Sequence, residues 1–442
     1  MPARLTRETV PAALVPGYHP ERLRVGVVHI GLGNFHRAHQ AVVFDRLARA
    51  GYRDWGICAV APRNADIVAT LRAQDHRYTV TAGTTELVGA IVETRHLPAE
   101  PDAVLDRLAD PAVRLVTVTL TESAYRPGNP VFAVLARGLA ERRRRGGAPL
   151  TVLSCDNVAD NGHRLAELVD AAAGDGALRR WIGAAVAFPR SVVDRIVPAP
   201  TGEDRARVAA AYGIDDRACV RTEPYLQWVV ERAGEQPPWE RAGVTVTDDL
   251  EAYQRLKLRV LNATHSLLAY LARAYRIDTI AGAMAEPDLR AAADAYQRRE
   301  ALPSLTLPAG AERYPAVVLE RFADPALRHT ARQVGADGSG KLPQRLSDVV
   351  TSAYARGHRP DLSALAVAGW LAAVTAPDPV ADPDGDRIRA LRGRSASDAD
   401  FVPSALAGIA LPARELAPTV ADYLTDLARD PRAAVRRALD SR

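Results

Sequence analysis

Arg24-Val-Gly-Val-Val-His-Ile-Gly-Leu-Gly-Asn-Phe-His-Arg-Ala-His-Gln40 is the stretch that decides the fold. Residues 25–30 carry no charge and are mostly β-branched, which predicts a strand covered on both faces. Gly31-Leu-Gly33 turns the chain into a helical run through Val42, Phe44 and Leu47. Strand, glycine turn, helix offers a pyrophosphate free backbone N–H groups at a helix start. His36 stands where the third glycine of G-x-G-x-x-G belongs, so the turn is only a partial fingerprint. Its position at the head of an alternating strand–helix pattern strengthens it.

Outward from this turn the alternation continues. Trp55–Val60 reads as a second strand, with a helix from about Asn64 to Ala73. Tyr78–Thr81 and Leu87–Val92 read as a hairpin around Gly83. Arg114–Leu120 and Leu150–Ser154 read as further buried strands with a helix between them. Alternation of this kind predicts a mostly parallel, doubly wound Rossmann-like α/β sheet. Ligands of such sheets bind beyond the carboxyl ends of the strands. Thr121-Glu122 and Cys155-Asp156-Asn157 directly follow strands and are expected at the same crevice as the glycine turn. After about Asp249 the strand signals fade into helical stretches (253–275, 288–299, 314–322, 344–356, 361–374), with a flexible acidic loop expected at Pro377–Asp386. The expected division is a dinucleotide-binding domain over 1–249 and a mainly helical substrate and catalytic domain over 250–442.

Composition narrows the chemistry. Of the 57 Lys and Arg residues only Lys257 and Lys341 are lysine. Guanidinium stays protonated, whereas a buried ammonium titrates readily, so a chain that writes its cations as Arg needs lysine where a proton must be exchanged. On an ideal helix Lys257, His265 and Asn262 share one side, beside apolar patches. Desolvation there lowers a lysine's pKa toward that of a general base. Three cysteines, Cys58, Cys155 and Cys219, make neither a disulfide framework nor a zinc ribbon. The absence of CxxC and HExxH motifs leads to an expectation of no metal. No apolar run suits a membrane span or signal peptide, so a cytoplasmic protein without membrane partners is expected, as a monomer or weak homo-oligomer. The net charge of +4 suits an anionic cofactor. Arg142–Arg145 reads as a solvated helix end, not a nucleic-acid patch, because no aromatic residues interleave. His36, Arg37 and His39 are expected to pack and to contact phosphate.

Taken in order, several motifs resemble the polyol-specific long-chain dehydrogenases, which include mannitol 2-dehydrogenase, arabinitol dehydrogenase and fructuronate reductase. They are Gly31–Gln40, Ser154-Cys-Asp-Asn157 with Asn161-Gly162, Phe188–Pro198 with its Val-Asp-Arg-Ile core, Glu223–Trp228, and Lys257 with Asn262 and His265. The resemblance implies metal-independent hydride transfer at a secondary alcohol. Lys257 would be the general base, Asn157 and Asn262 would stabilise the alkoxide, and His265 would hold substrate and orient Lys257. Asp194 and Lys341 match substrate positions, and Gly31, Gly33, Asn34 and Phe35 match the cofactor turn. Asp66, after the second strand, can accept from the adenosine ribose hydroxyls and repel a 2′-phosphate, so NAD is expected, with NADP tolerated.

The chain departs from this pattern after Thr121–Tyr125, where a long insert is largely gone. Leu327-Arg-His329 and Asp337–Arg345 look more like fructuronate reductase, yet Leu226 stands where that subgroup can carry Arg. The expected reaction interconverts the C2 alcohol of a D-mannitol-like polyol with its D-fructose-like 2-ketose. The alternative substrate pair is D-mannonate and D-fructuronate. The rival of another class is a non-catalytic nucleotide-binding regulator.

Overall fold

The protein is described from a computed structural model covering residues 2–441. Its main sheet has six strands: β1 (Val25–Ile30), β2 (Gly56–Ala61), β3 (Ile91–His96), β4 (Leu115–Val118), β5 (Leu150–Ser154) and β6 (Val186–Ala187). The spatial order is β3-β2-β1-β4-β5-β6, and every pairing is parallel. This is the doubly wound order in which the chain reverses direction across the sheet between β1 and β4.

Alternate residues of the central strands feed two separate cores. Val27, Ile57, Ala59 and Leu115 pack with Ala41, Phe44 and Leu47 on one face. Val28, Ile30, Cys58, Val60 and Val116 pack with Val104, Leu108, Leu135 and Leu165 on the other. Coverage on both faces is the reason that these strands read as nearly unbroken apolar runs.

The predicted hairpin is shifted at its second strand, which begins three residues earlier than expected and ends at Val88. Tyr78–Ala82 pairs antiparallel with Thr84–Val88 around Gly83. Ile91 leaves the hairpin and begins β3, parallel to β2. A further three-stranded sheet is built from Ser191–Asp194, Gln227–Glu231 and Thr245–Thr247. The three cysteines are buried and free.

Arg142 corrects the reading of the Arg142–Arg145 run. It is buried, and its guanidinium donates to the carbonyls of Leu108, Asp110, Val113, Ala148 and Pro149 at 2.7–3.2 Å. Arg144 and Arg145 remain outside and pair with Glu141. One guanidinium thus satisfies carbonyls from three chain segments. Replacing Arg142 by methionine keeps the apolar stem but strands these acceptors. The expected loss is about 3 kcal/mol or more, and a urea midpoint equal to wild type would contradict it.

The chain divides into two compact units between Leu250 and Glu251. The second unit is helical, and three of its details depart from the sequence reading. The helix expected from 344 begins at Gly338 and runs to Ala355. A Cβ on Gly338 would lie 2.4 Å from Trp370 and 2.5 Å from the Tyr270 hydroxyl, so Gly338 permits close helix packing where Gly-Ser-Gly reads locally as a loop. The acidic segment Pro377–Asp386 is held in place, not loose. Asp378 pairs with Arg332, Asp382 accepts from Trp370 Nε1 at 3.0 Å and from Ser339 N at 2.9 Å, and Val380 is buried. The third departure, at Lys257, belongs to the candidate site. Among the described residues no helix is long and apolar enough to cross a membrane.

Candidate active site

In the first unit the parallel register sets the ends of β1, β4 and β5 side by side, and side chains tie together the three loops that leave them. The Gly31 carbonyl accepts from Thr119 Oγ1 at 2.9 Å and from His29 Nε2 at 3.1 Å. Since a carbonyl only accepts, His29 carries its proton on Nε2, and its Nδ1 accepts from Thr117 Oγ1 at 2.8 Å. Burial pushes the His29 imidazolium pKa down to about 3, so the ring is neutral. His36 stacks on it with centroids 3.3 Å apart. His36 is also neutral, held well below its usual pKa by burial and by its cationic neighbours. The residue in the third-glycine position therefore braces the turn from below.

Gly31 has φ +122°, and a Cβ there would lie 1.9 Å from the Thr119 carbonyl oxygen. Gly33 differs: a Cβ on it would meet only the Gly31 oxygen, at 3.7 Å. The backbone at Gly33 thus faces open space, as a turn that receives a phosphate requires. Asn34 Oδ1 accepts from Arg37 Nη2 at 2.5 Å, and Phe35 stacks on His39. Arg37 is buried and also donates to the Ala218 carbonyl, while His39 donates to the Gln227 carbonyl at 3.0 Å. Both side chains are tied to protein carbonyls. These bonds account for their packing role.

Asp66 is exposed in the first turn of the helix Ala65–Ala73, which follows β2 and is capped by Asn64. Asn157 is exposed just past β5. Its neighbour Asp156 is buried, accepting from Leu120 N at 2.7 Å and from the Tyr125 hydroxyl at 2.6 Å. Burial raises the Asp156 pKa to about 7 against the pull of those two donors. The post-β4 loop and the Asp156-Asn157 corner are thereby joined, as expected for loops sharing one crevice. Asp194 ends the strand Ser191–Asp194 and is buried.

In the second unit Lys257, Asn262 and His265 come from one continuous helical stretch, but it is not a plain α-helix. An α-helix over Leu250–Leu256 passes into a π-helical turn over Lys257–Asn262, then into an α-helix over Ala263–Ala274. The ideal-helix angles therefore do not hold. In a turn closed from residue i to i+5, residues five apart lie closer in angle than they do on an α-helix, so Lys257 and Asn262 are drawn toward one side. His265 comes three residues later on the same side. Lys257 is buried. The His265 ring stacks between Phe322 (4.5 Å) and His329 (5.4 Å). Its Nε2 is buried without a hydrogen-bond partner. Burial first, then His329, Arg345, Arg321 and Lys341, hold its pKa well below the usual value. Lys341 donates to the Ala336 carbonyl at 2.8 Å and lies 3.4 Å from Asp337.

This arrangement puts a buried lysine, an asparagine and a neutral imidazole on one continuous helical stretch. Phe322, which stacks on His265, was missed because it is one apolar helix residue among many. Among the described residues no three His, Cys, Asp or Glu side chains cluster as metal ligands would.

Residues 25–241 match the mannitol dehydrogenase Rossmann domain, and residues 249–417 match the mannitol dehydrogenase C-terminal domain. The chain is 35% identical over 445 residues to D-mannonate oxidoreductase of Escherichia coli, covering 88% of this chain and 92% of that protein. It is 36% identical over 398 residues to mannitol 2-dehydrogenase of Cereibacter sphaeroides, covering 80% and 82%. The solved Pseudomonas fluorescens mannitol 2-dehydrogenase, a ternary complex with NAD and D-mannitol, superposes with a TM-score of 0.83 at 29% identity, over 99% of this chain and 98% of that one.

Proposed function

Because the chain belongs to the mannitol dehydrogenase family of oxidoreductases, we propose that it interconverts the C2 alcohol of a linear D-mannitol-like polyol with the matching 2-ketose, using NAD and no metal. The observation that carries this reading is the turn Lys257–Asn262, which delivers a buried lysine and an asparagine to one helix side, just ahead of a neutral histidine with an unbonded Nε2.

In the oxidative direction NAD, held at the turn Gly31–Phe35, would supply an acceptor for the hydride that leaves C2. Lys257, as a neutral amine, takes the hydroxyl proton, and the C2–O bond becomes a carbonyl. Asn157 and Asn262 donate to the oxygen as negative charge develops on it. His265 hydrogen-bonds the substrate and holds Lys257 in orientation, while Asp194 and Lys341 bind substrate hydroxyls. Gly31, Gly33, Asn34 and Phe35 receive the dinucleotide. The open space at Gly33 supports that assignment.

Asp66 is assigned to the adenosine ribose. Asp66→Ala is expected to narrow the NAD-over-NADP ratio of kcat/KM by about tenfold, the worth of a charge-assisted hydrogen bond. An unchanged ratio removes Asp66 from cofactor choice.

A second substrate pair, D-mannonate and D-fructuronate, is favoured by the 35% identity to D-mannonate oxidoreductase and by the segments Leu327–His329 and Asp337–Arg345, which look more like fructuronate reductase. The deciding assay follows NADH absorbance with D-mannitol, D-arabinitol, D-sorbitol and D-mannonate plus NAD, and with D-fructose and D-fructuronate plus NADH. Preference for mannitol and fructose supports the first reading, and preference for the uronate pair supports the second. NADH binding without turnover of any of these sugars overturns both pairs, places the substrate outside this set and points to the missing insert after Tyr125.

A further inference from the structure

A wide turn inside a helix costs hydrogen bonds. Where closure passes from i→i+4 to i→i+5 and back, a backbone carbonyl is skipped and must find a partner elsewhere. In the stretch Leu250–Ala274 the wide turn is clear: the Ala263 N–H reaches back to the Leu258 carbonyl, five residues away. Two side chains from other helices serve carbonyls of this turn. Tyr296, fully buried, donates its hydroxyl to the Arg259 carbonyl at 3.0 Å. Arg345 donates Nη1 to the Asn262 carbonyl at 3.2 Å and to Ser266 Oγ at 2.6 Å. The Arg259 side chain is anchored in turn, with Nη1 on the Ser304 carbonyl at 2.7 Å and Nη2 on Asp348.

We propose that Tyr296 and Arg345 are positioning residues that hold the turn Lys257–Asn262 in its wide form, and that this form brings Lys257 and Asn262 closer in angle than an α-helix would and leads on to His265. In an uninterrupted α-helix Lys257 and Asn262 would stand more than a third of a turn apart, at the two edges of their shared side, and the wide turn brings the amine and the amide closer together. Neither positioning side chain needs to touch substrate for the effect. Each acts by taking a carbonyl that would otherwise draw the backbone back toward regular closure. The inference rests on the proposed roles of Lys257 and Asn262.

The two-lysine composition makes the test direct. Limited acetylation with acetic anhydride, read by peptide mass spectrometry, reports the Lys257 rate against Lys341 in the same molecule and needs no substrate. Tyr296→Phe, which removes one hydroxyl, is expected to raise Lys257 labelling several-fold relative to Lys341. Reduction of D-fructose and D-fructuronate is measured beside it, per folded protein. Tyr296→Phe and Arg345→Met are each expected to lower kcat between about tenfold and a hundredfold, the cost of misplacing a catalytic group by about 1 Å. KM for NADH stays within about twofold, and Arg345→Lys restores part of kcat because an ammonium can still donate to the Asn262 carbonyl. Wild-type labelling in Tyr296→Phe overturns the inference, as does wild-type kcat in both Tyr296→Phe and Arg345→Met. Lys257→Ala separates the two levels. If it remains active, the base assignment fails while the labelling result still judges the turn. If it is inactive while the positioning variants behave as wild type, only the turn inference fails.

Discussion

Lys257→Ala is expected to lower kcat by roughly a hundredfold to ten-thousandfold, the usual contribution of a general base, with NADH binding retained. The amine is the one buried lysine of the chain, since Lys341 is less enclosed and bonds to its own helix start. Its removal deletes the proposed proton acceptor and leaves the glycine turn untouched in the other unit. Water would then have to take the hydroxyl proton, and water is a far weaker base than a desolvated amine. Two readouts separate this from unfolding: NADH fluorescence titration gives an unchanged affinity, and added methylamine recovers part of the rate by supplying the missing amine. Near-normal turnover refutes the assignment.

Gly31→Ala is expected to cost about 3 kcal/mol or more, combining an unfavourable positive φ with overpacking, and to weaken NADH binding in whatever folded protein remains. At φ +122° a side chain is strained, and the new Cβ would stand 1.9 Å from the Thr119 carbonyl oxygen. Both atoms belong to backbone at the ends of β1 and β4, so no rotamer change relieves the clash. Relief requires the two strand ends to part, which breaks the bonds from Thr119 and His29 to the Gly31 carbonyl. Gly33→Ala is the control. Its Cβ meets open space, so it should leave thermal stability close to wild type while weakening the dinucleotide. Equal melting temperatures for Gly31→Ala and wild type would show that Gly31 is not a packing requirement.

Some of the site was legible because chemistry and position are both local in sequence. The glycine turn succeeds a strand that announces itself by an uncharged β-branched run, and residues at the ends of parallel strands share one edge. The expected meeting of the post-β4 and post-β5 segments is realised in the Asp156 bonds to Leu120 and Tyr125. Lys257, Asn262 and His265 were singled out by residue type and spacing, but their angles were drawn on the wrong helix. Residue types read on a regular helix do not say where its closure widens, so the wide turn left no signal in the sequence.

Other misses share a cause. Arg142 looks like any cation at a helix end, and only the carbonyls of Leu108, Asp110, Val113, Ala148 and Pro149, brought together by folding, make it a buried hub. Gly338-Ser-Gly340 has the composition of a loop and becomes a helix start because Trp370 and Tyr270 press against it. Acidic residues at 377–386 suggest solvation, yet Asp382 is held by an indole and a backbone N–H.

By itself the sequence determined the strand and helix alternation, the parallel α/β class and the family, because each depends on side-chain periodicity or on motifs within a few residues. Tertiary structure alone decided the wide turn under Lys257, the partners that serve its carbonyls, and the neutral state of His29, His36 and His265. Those depend on desolvation and on hydrogen bonds between residues far apart in the chain. Backbone carbonyls are alike at every position until folding decides which of them are left to be paired.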